Sequence, residues 1–318
     1  MKKKKWVAAK RYLPLYFLAL PSLLYLLINN YIPMAGVIIA FKNINLKEGI
    51  LNSPWCGFNN FKYLFATKDA FVITRNTILY NLAFIVFGTI FSITLALFLS
   101  ELKSKKMSKF YQTVVLFPYL VSMIIVSYLV YAFLSENTGF LNNTILPALG
   151  LEKYAWYSKT KYWPFILVFV SIWKSSGYNC IIYLSAILGI DTSYNEAAML
   201  DGASIWQRIR LITLPMIKPT ILMLLILSVG RMFYSDFGLF YQVPQNSGAL
   251  YPVTNVIDTY VYRALLQLGD IGMSSAAGIY QSIVGCILVI IANVVVRKYS
   301  EESALFCLLY TSPSPRDA

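Results

Sequence analysis

This chain predicts an all-α fold that crosses a membrane several times, and three observations carry that reading. Hydrophobic residues fill 58% of its 318 positions and charged ones only 13%, whereas a soluble domain carries about twice that charged fraction. Mean hydropathy is +0.61. Six apolar segments, approximately 12–32, 77–100, 110–134, 163–190, 219–240 and 277–296, each approach or exceed the roughly 20 residues needed to cross a hydrocarbon core. The length suits one bundle over 1–306 rather than several domains.

The first segment follows Lys2 to Lys5 and Lys10-Arg11. Its apolar run from Tyr12 to Ile28 is too long for a signal-peptide core and lacks a small-residue cleavage site, so it reads as a retained helix. Segments two and three, Thr77 to Ser100 and Phe110 to Leu134, are joined by Glu101 to Lys109 with its four lysines. Segments four and five, Trp163 to Ile190 and Pro219 to Phe240, enclose a polar loop over 191–218 with Arg208, Arg210 and Lys218. Segment six, Ala277 to Val296, runs into Arg297-Lys298. These basic groups fall on one side of the bundle, which the positive-inside rule makes cytoplasmic, with both termini there. The opposite loops spread their Lys and Arg over longer stretches; Lys42, Lys47, Lys62, Lys68 and Arg75 weaken the bias without reversing it.

A net charge of +13 reads as loop lysines that orient helices and meet anionic lipid. No basic helix or aromatic-basic interleaving outside the apolar runs points to nucleic acid. The chain has no histidine, which excludes histidine-based general base catalysis and histidine metal ligation. Cys56, Cys180, Cys286 and Cys307 lack metal-site spacing. Trp156-Tyr157 and Tyr162-Trp163 flank the fourth segment as an interfacial aromatic belt.

The loop between segments four and five contains Glu196-Ala197-Ala198-Met199-Leu200-Asp201-Gly202, then Ile212-Thr213-Leu214-Pro215. Ser193 with Glu196 has the spacing of a capping box starting a helix through Tyr194 to Leu200. Gly202 suits the left-handed conformation that closes it. Ser204 with Gln207 repeats the pattern, starting a second helix through Ile205 to Thr213, and Pro215 and Pro219 limit its continuation. Ala197 and Ala198 leave room for close approach, while Met199, Leu200 and Trp206 supply apolar contact. The plain alternative is an amphipathic loop resting on the membrane surface.

The spacing Glu-Ala-Ala, Gly, Ile-x-Leu-Pro resembles the cytoplasmic loop of ABC-importer permeases. Gly57-Phe58-Asn59-Asn60-Phe61, after Trp55-Cys56, resembles the Gly-x-x-Asn-Phe element of sugar-importer permeases. Tyr31-Ile32-Pro33-Met34-Ala35-Gly36, Ala40-Phe41-Lys42 and Ile257-Asp258-Thr259-Tyr260-Val261-Tyr262-Arg263 are similar to the oligosaccharide and complex-polysaccharide branch, of the maltose and glycerol-phosphate type. The resemblance covers nearly the whole chain to Phe306 and implies a six-helix type I importer permease with a coupling-helix loop. It further implies that Glu196, Ala197, Ala198, Met199, Leu200, Asp201, Gly202, Ile212, Leu214 and Pro215 dock a separate ATPase. No Gly-x-x-x-x-Gly-Lys-Ser/Thr occurs, so ATP and Mg are expected on that partner and no cofactor or catalytic group on this chain. A second homologous permease would complete the path, and an extracellular solute-binding protein would deliver a sugar or oligosaccharide; some motifs also match permeases for non-sugar solutes.

Charged groups at membrane depth face a cavity or a partner. Lys174 and Arg231 lie eleven and twelve residues into their segments, and Asp236 is placed to pair with either. Tyr178, Asn179, Tyr234 and Gln281 add aromatic faces and hydrogen-bonding groups of the kind sugars use. These seven are the candidate translocation path, with an ordering ion pair or plain helix-helix contact as the alternative. Lys174 is expected to face the path without a protein partner, and Arg231 to pair with Asp236 on a shared helix. An ion-coupled secondary transporter would need internal repeats and intramembrane carboxylates, and Asp236 is the one acidic residue within an apolar segment. A membrane enzyme would need paired carboxylates, metal ligands or a nucleophile-base set.

The closing residues 307–318 can be back-translated into a string that resembles a sequencing adapter. They read as non-native read-through after about Phe306, or alternatively as a disordered Ser/Pro tail.

Overall fold

The computed structural model describes residues 16–45, 47–66 and 68–299; the basic amino terminus and the tail after Phe306 lie outside them. Five helical segments are long and apolar enough to cross a membrane, or six if one sharply bent pair counts as a single span. They are α1 (Tyr16–Phe41), α2 (Asp69–Ser100), the pair α3 (Lys105–Leu120) and α4 (Met123–Leu134), and α5 (Trp163–Leu188). The polar helix α6 (Thr192–Leu200) follows, then α7 (Ile205–Gly230), short α8 (Phe237–Gln242) and α9 (Ile257–Leu266), and α10 (Ile271–Tyr299). The all-α, membrane-spanning class is therefore the one observed.

Boundaries differ from the sequence expectation wherever a proline was read as a stop. Three times a π-turn ends two residues before a proline: Leu27–Tyr31 before Pro33, Leu141–Ile145 before Pro147, and Ile209–Thr213 before Pro215. In each, the residue preceding the proline donates its N–H five residues back, as Leu214 does to Ile209. Proline lacks an N–H and crowds the carbonyl four residues earlier; widening the preceding turn relieves both, and the helix continues. The fifth span consequently begins at Ile205 rather than Pro219. Its far end is also earlier: the helix stops at Gly230, not Phe240.

The third predicted span is broken. α3 and α4 meet at 94°. Pro118 sits in the last turn of α3, Val121 and Ser122 are extended, and the Ser122 hydroxyl caps the new helix by accepting from the Ile125 N–H at 3.4 Å.

The described residues fall into two compact units. Within Met1–Thr67 and Val261–Ile279, the Gly-Phe-Asn-Asn-Phe string forms a clasp. Gly57 turns at φ +61°. Asn60 is buried and donates its amide to the carbonyls of Ala40 and Lys42 at 2.8 and 3.1 Å. Phe41, Phe58 and Phe61 pack with ring centroids 5.4–5.7 Å apart.

Within Lys68–Tyr260 and Tyr280–Ala318, α2 lies along α5. One core gathers Ala96, Leu99, Cys180, Tyr183 and Leu184. Another, further along both helices, gathers Tyr80, Trp163, Leu167, Phe240 and Val243. Lipid supplies no hydrophobic drive between helices, so close packing of small residues takes its place. Ser175-Ser176-Gly177 of α5 meets α3 this way: a Cβ added at Gly177 would stand 2.7 Å from the Val115 carbonyl carbon and 3.1 Å from the Leu116 Cα.

Candidate functional site

The polar loop folds as helix, turn, helix. Its first cap differs from the Ser193-Glu196 box read from sequence: Asp191 is the N-cap, its carboxylate accepting from the Ser193 N–H at 2.9 Å. The aspartate two residues before Ser193 reaches the backbone first, and the helix gains the turn that starts at Thr192. These bonds from Ser193 hold the Asp191 carboxyl below its ordinary value of 3.8. A lowered carboxylate stabilises the folded helix above that ordinary value and loses its contribution as pH falls through the lowered one. Protection of the amides over residues 192–200, taken as exchange relative to the intrinsic rate at each pH, is therefore expected to fall on acidification below about pH 4, and Asp191→Asn should abolish that dependence.

At the other end Gly202 adopts φ +76°. Its N–H bonds the Met199 carbonyl and the Ala203 N–H the Ala198 carbonyl, at 3.1 and 2.9 Å, which is a Schellman closure. Two residues on, Ser204 and Gln207 form a complete capping box, as their spacing predicts.

The loop is braced by residues that the sequence reading passed over. Arg208, in the first turns of α7, reaches Asn195 of α6 at 3.5 Å and lies 3.7 Å from the Glu101 carboxylate that follows α2. α6, α7 and α2 are thus joined through one guanidinium. The outer surface is left apolar. Leu200 is 89% exposed and Trp206 75%, with Tyr194 and Met199 also exposed; Glu196 and Ala197 are exposed among them, with Ala198 half-buried. Ile212 and Leu214 are half-buried and Pro215 exposed on α7 itself, which places them on the span rather than on a separate loop helix. Beside Trp206 lies a groove of about 590 Å³ lined by Leu97, Phe98, Glu101 and Ile205. A polar backbone turn flanked by exposed large apolar groups is the kind of surface that meets a protein partner or the membrane.

The seven intramembrane candidates separate into several environments. Lys174 of α5 is not free of protein partners: its ammonium donates to the carbonyls of Pro118, Tyr119 and Val121 at 3.5, 3.2 and 2.6 Å. The α3–α4 break leaves the Tyr119 and Val121 carbonyls to the lysine, while that of Pro118 also accepts from the Val121 N–H at 3.3 Å; the lysine thus closes the end of α3 and offsets its dipole. Tyr178 stacks on Tyr119 at 4.9 Å and 18°, and both rings are otherwise exposed. Asn179 is half-buried. Arg231 and Asp236 do not share a helix. Arg231 closes α7 and Asp236 caps α8, accepting from the Leu239 N–H at 3.1 Å. Among the described residues no ion pair joins them, because the chain turns between Gly230 and Phe237. Tyr234 is exposed in that turn.

Gln281 is buried, and its amide donates to the Phe233 carbonyl at 3.0 Å and to Asp258 at 3.1 Å. Asp258 also accepts from the Ser235 N–H at 2.7 Å. This half-buried carboxylate, missed in the sequence, ties the turn after α7 to α10. Its position in the Ile257 to Arg263 string was the available signal.

Lys174→Met removes the ammonium from three carbonyls, of which that of Pro118 keeps the Val121 N–H. Since an unmet buried acceptor costs about 1–3 kcal/mol, this variant is expected to lower the melting temperature of the purified complex and its assembled yield. Wild-type stability with reduced uptake would restore the reading of Lys174 as a path residue alone.

Several membrane-spanning helices with an exposed helix-turn-helix between two of them make this a multi-pass membrane component. The chain belongs to the family described as binding-protein-dependent transport system inner membrane component, whose model matches residues 88–301. It is 36% identical over 298 residues to Protein LplB of Bacillus subtilis strain 168, covering 93% of each chain. The polygalacturonan/rhamnogalacturonan transport system permease protein YteP of the same strain is 35% identical over 289 residues, covering 91% of this chain and 89% of that one. Among solved structures it resembles a chain of a bacterial ABC transporter involved in the import of the acidic polysaccharide alginate. There the TM-score is 0.85 and the identity 35%, covering 93% of this chain and 99% of the other. A chain from the alginate transporter in complex with a pentasaccharide-bound periplasmic protein gives a TM-score of 0.84 at 34% identity, covering 93% and 98%.

Proposed function

We propose that this protein is the permease subunit of an ATP-driven importer for oligosaccharides derived from a polysaccharide. It forms half of the translocation path with a second, homologous permease. Substrate arrives from an extracellular binding protein, and energy from a separate ATPase dimer that holds ATP and Mg. Relatives named for polysaccharide substrates at 34–35% identity over nearly the full chain support the substrate class. The observation that carries the coupling role is the braced loop from Asp191 to Pro215. Glu196, Ala197, Ala198, Met199, Leu200, Asp201 and Gly202 would seat in the ATPase, with Ile212, Leu214 and Pro215 relaying movement into α7. The basic residues near that loop and at both termini support a cytoplasmic position for it, with the chain in the plasma membrane. Solute passes along Tyr178, Asn179, Tyr234 and the exposed Arg231, with Lys174, Asp236 and Gln281 as supporting groups at its margin.

The test is reconstitution in lipid vesicles with and without the partners. ATP-dependent uptake of polygalacturonan or rhamnogalacturonan oligosaccharides should need all components. Uptake by this chain alone, without ATP, would overturn the proposal.

A further inference from the structure

We propose a second saccharide subsite beyond the α3–α4 break, built from Tyr128 of α4 and the turn that closes α8; it rests on the oligosaccharide reading above. A cavity of about 350 Å³ lies there, lined by Ile124, Tyr128, Tyr241, Gln242, Gln245 and Asn246. That volume falls in the range of small-ligand sites, roughly 300–1,000 Å³. The lining chemistry suits a pyranose ring. Two tyrosines offer apolar faces with hydroxyl edges, and three carboxamides offer paired donors and acceptors for ring hydroxyls. No lining residue is charged, so the subsite takes hydroxyls rather than a sugar carboxylate.

Two features mark the turn as more than a connection. Gln245 and Asn246 stand at φ +54° and +48°, consecutive left-handed positions without glycine. Glycine would fill such positions without strain, so a strained glutamine retained there is a pointer to what its side chain does. Next to it, Gln242 lines the cavity while its Oε1 is buried with no hydrogen-bond partner in the described protein, an unmet acceptor that a side-chain rotation turns towards a ligand hydroxyl. The cavity wall from Ile124 to Tyr128 follows directly on Val121, whose carbonyl Lys174 holds. Along the chain the Tyr119–Tyr178 stack thus precedes the break and the cavity wall on α4 follows it. A single sugar unit occupies one; a longer chain reaches both.

Gln245→Gly removes the amide and relieves the backbone, and Tyr128→Leu alters an exposed ring, so neither should impair folding. Both go into the complete complex, reconstituted with its partner permease, ATPase and binding protein. Uptake is measured for neutral and acidic oligosaccharides from two to five residues. The ratio of tetrasaccharide to disaccharide uptake is expected to fall about fivefold in each variant, the loss of one or two hydrogen bonds. Melting temperature should be unchanged, or raised for Gln245→Gly. An unchanged ratio overturns the subsite, as does an equal loss for disaccharide and tetrasaccharide. No response of the wild-type complex to any saccharide overturns the reading on which the subsite rests, and the subsite with it.

Discussion

Uptake by a complex carrying Glu196→Lys is expected to fall at least about tenfold, while assembly of the membrane subunits stays intact. Losing one member of a desolvated charge contact at an interface costs about 2–5 kcal/mol, more than a factor of ten. The structure sharpens this expectation. Because Asp191 caps α6, Glu196 carries no capping duty, and reversing its charge leaves the helix start untouched. Gly202→Asp acts on the other variable: the space for a side chain is open, but φ +76° opposes any residue with a Cβ, at about 1–2 kcal/mol. Gly202→Asp should therefore loosen the turn as well as the contact. ATPase stimulation and uptake are the readouts, and wild-type values for Glu196→Lys would remove the loop from the coupling role.

Gly177→Leu is the second large effect, and it acts on the fold. Backbone of α3 occupies the space its side chain would need, at Val115 and Leu116. Overpacking a tight contact costs about 1–3 kcal/mol and more when backbone must move. Separating α3 from α5 also draws the Pro118 to Val121 carbonyls away from Lys174. The expected outcome is loss of most folded complex in detergent, read by size-exclusion yield and thermal melting. Recovery of normal yield would show that α3 and α5 do not depend on this approach.

How much was legible followed how local each cause was. Six apolar runs announced their spans, since crossing lipid demands a contiguous stretch of chain. The Ser204-Gln207 box and Gly202 could be read because capping acts across three or four residues. Pro215 and Pro219 misled because proline was treated as a stop, and nothing in the polar pattern signals a π-turn ahead of it. The break at Val121 left a trace in Pro118 and Ser122. Its stabiliser is a lysine 53 residues away, a relation no periodicity contains. Arg208 was read as a loop charge when it bridges Asn195 and Glu101. Asp258 lies within a legible motif, but its bonds to Ser235 and Gln281, 23 residues away on either side, leave no local pattern in the sequence.

The wide turn at Ile209–Thr213 has a mechanical consequence. By letting Pro215 into an unbroken helix, it makes the part of the exposed loop that starts at Ile205 and the fifth span one rod of 26 residues, about 39 Å long. A rod pushed at one end behaves as a lever. A tilt of about 5° imposed at the Trp206 end sweeps the Gly230 end through about 3 Å, comparable to the width of a water molecule or a sugar hydroxyl contact. Had proline ended the helix, the same push would have been absorbed as bending in a flexible joint. A small stroke at the Trp206 end would thereby become a displacement of the Arg231–Asp236 turn large enough to make or break hydrogen bonds.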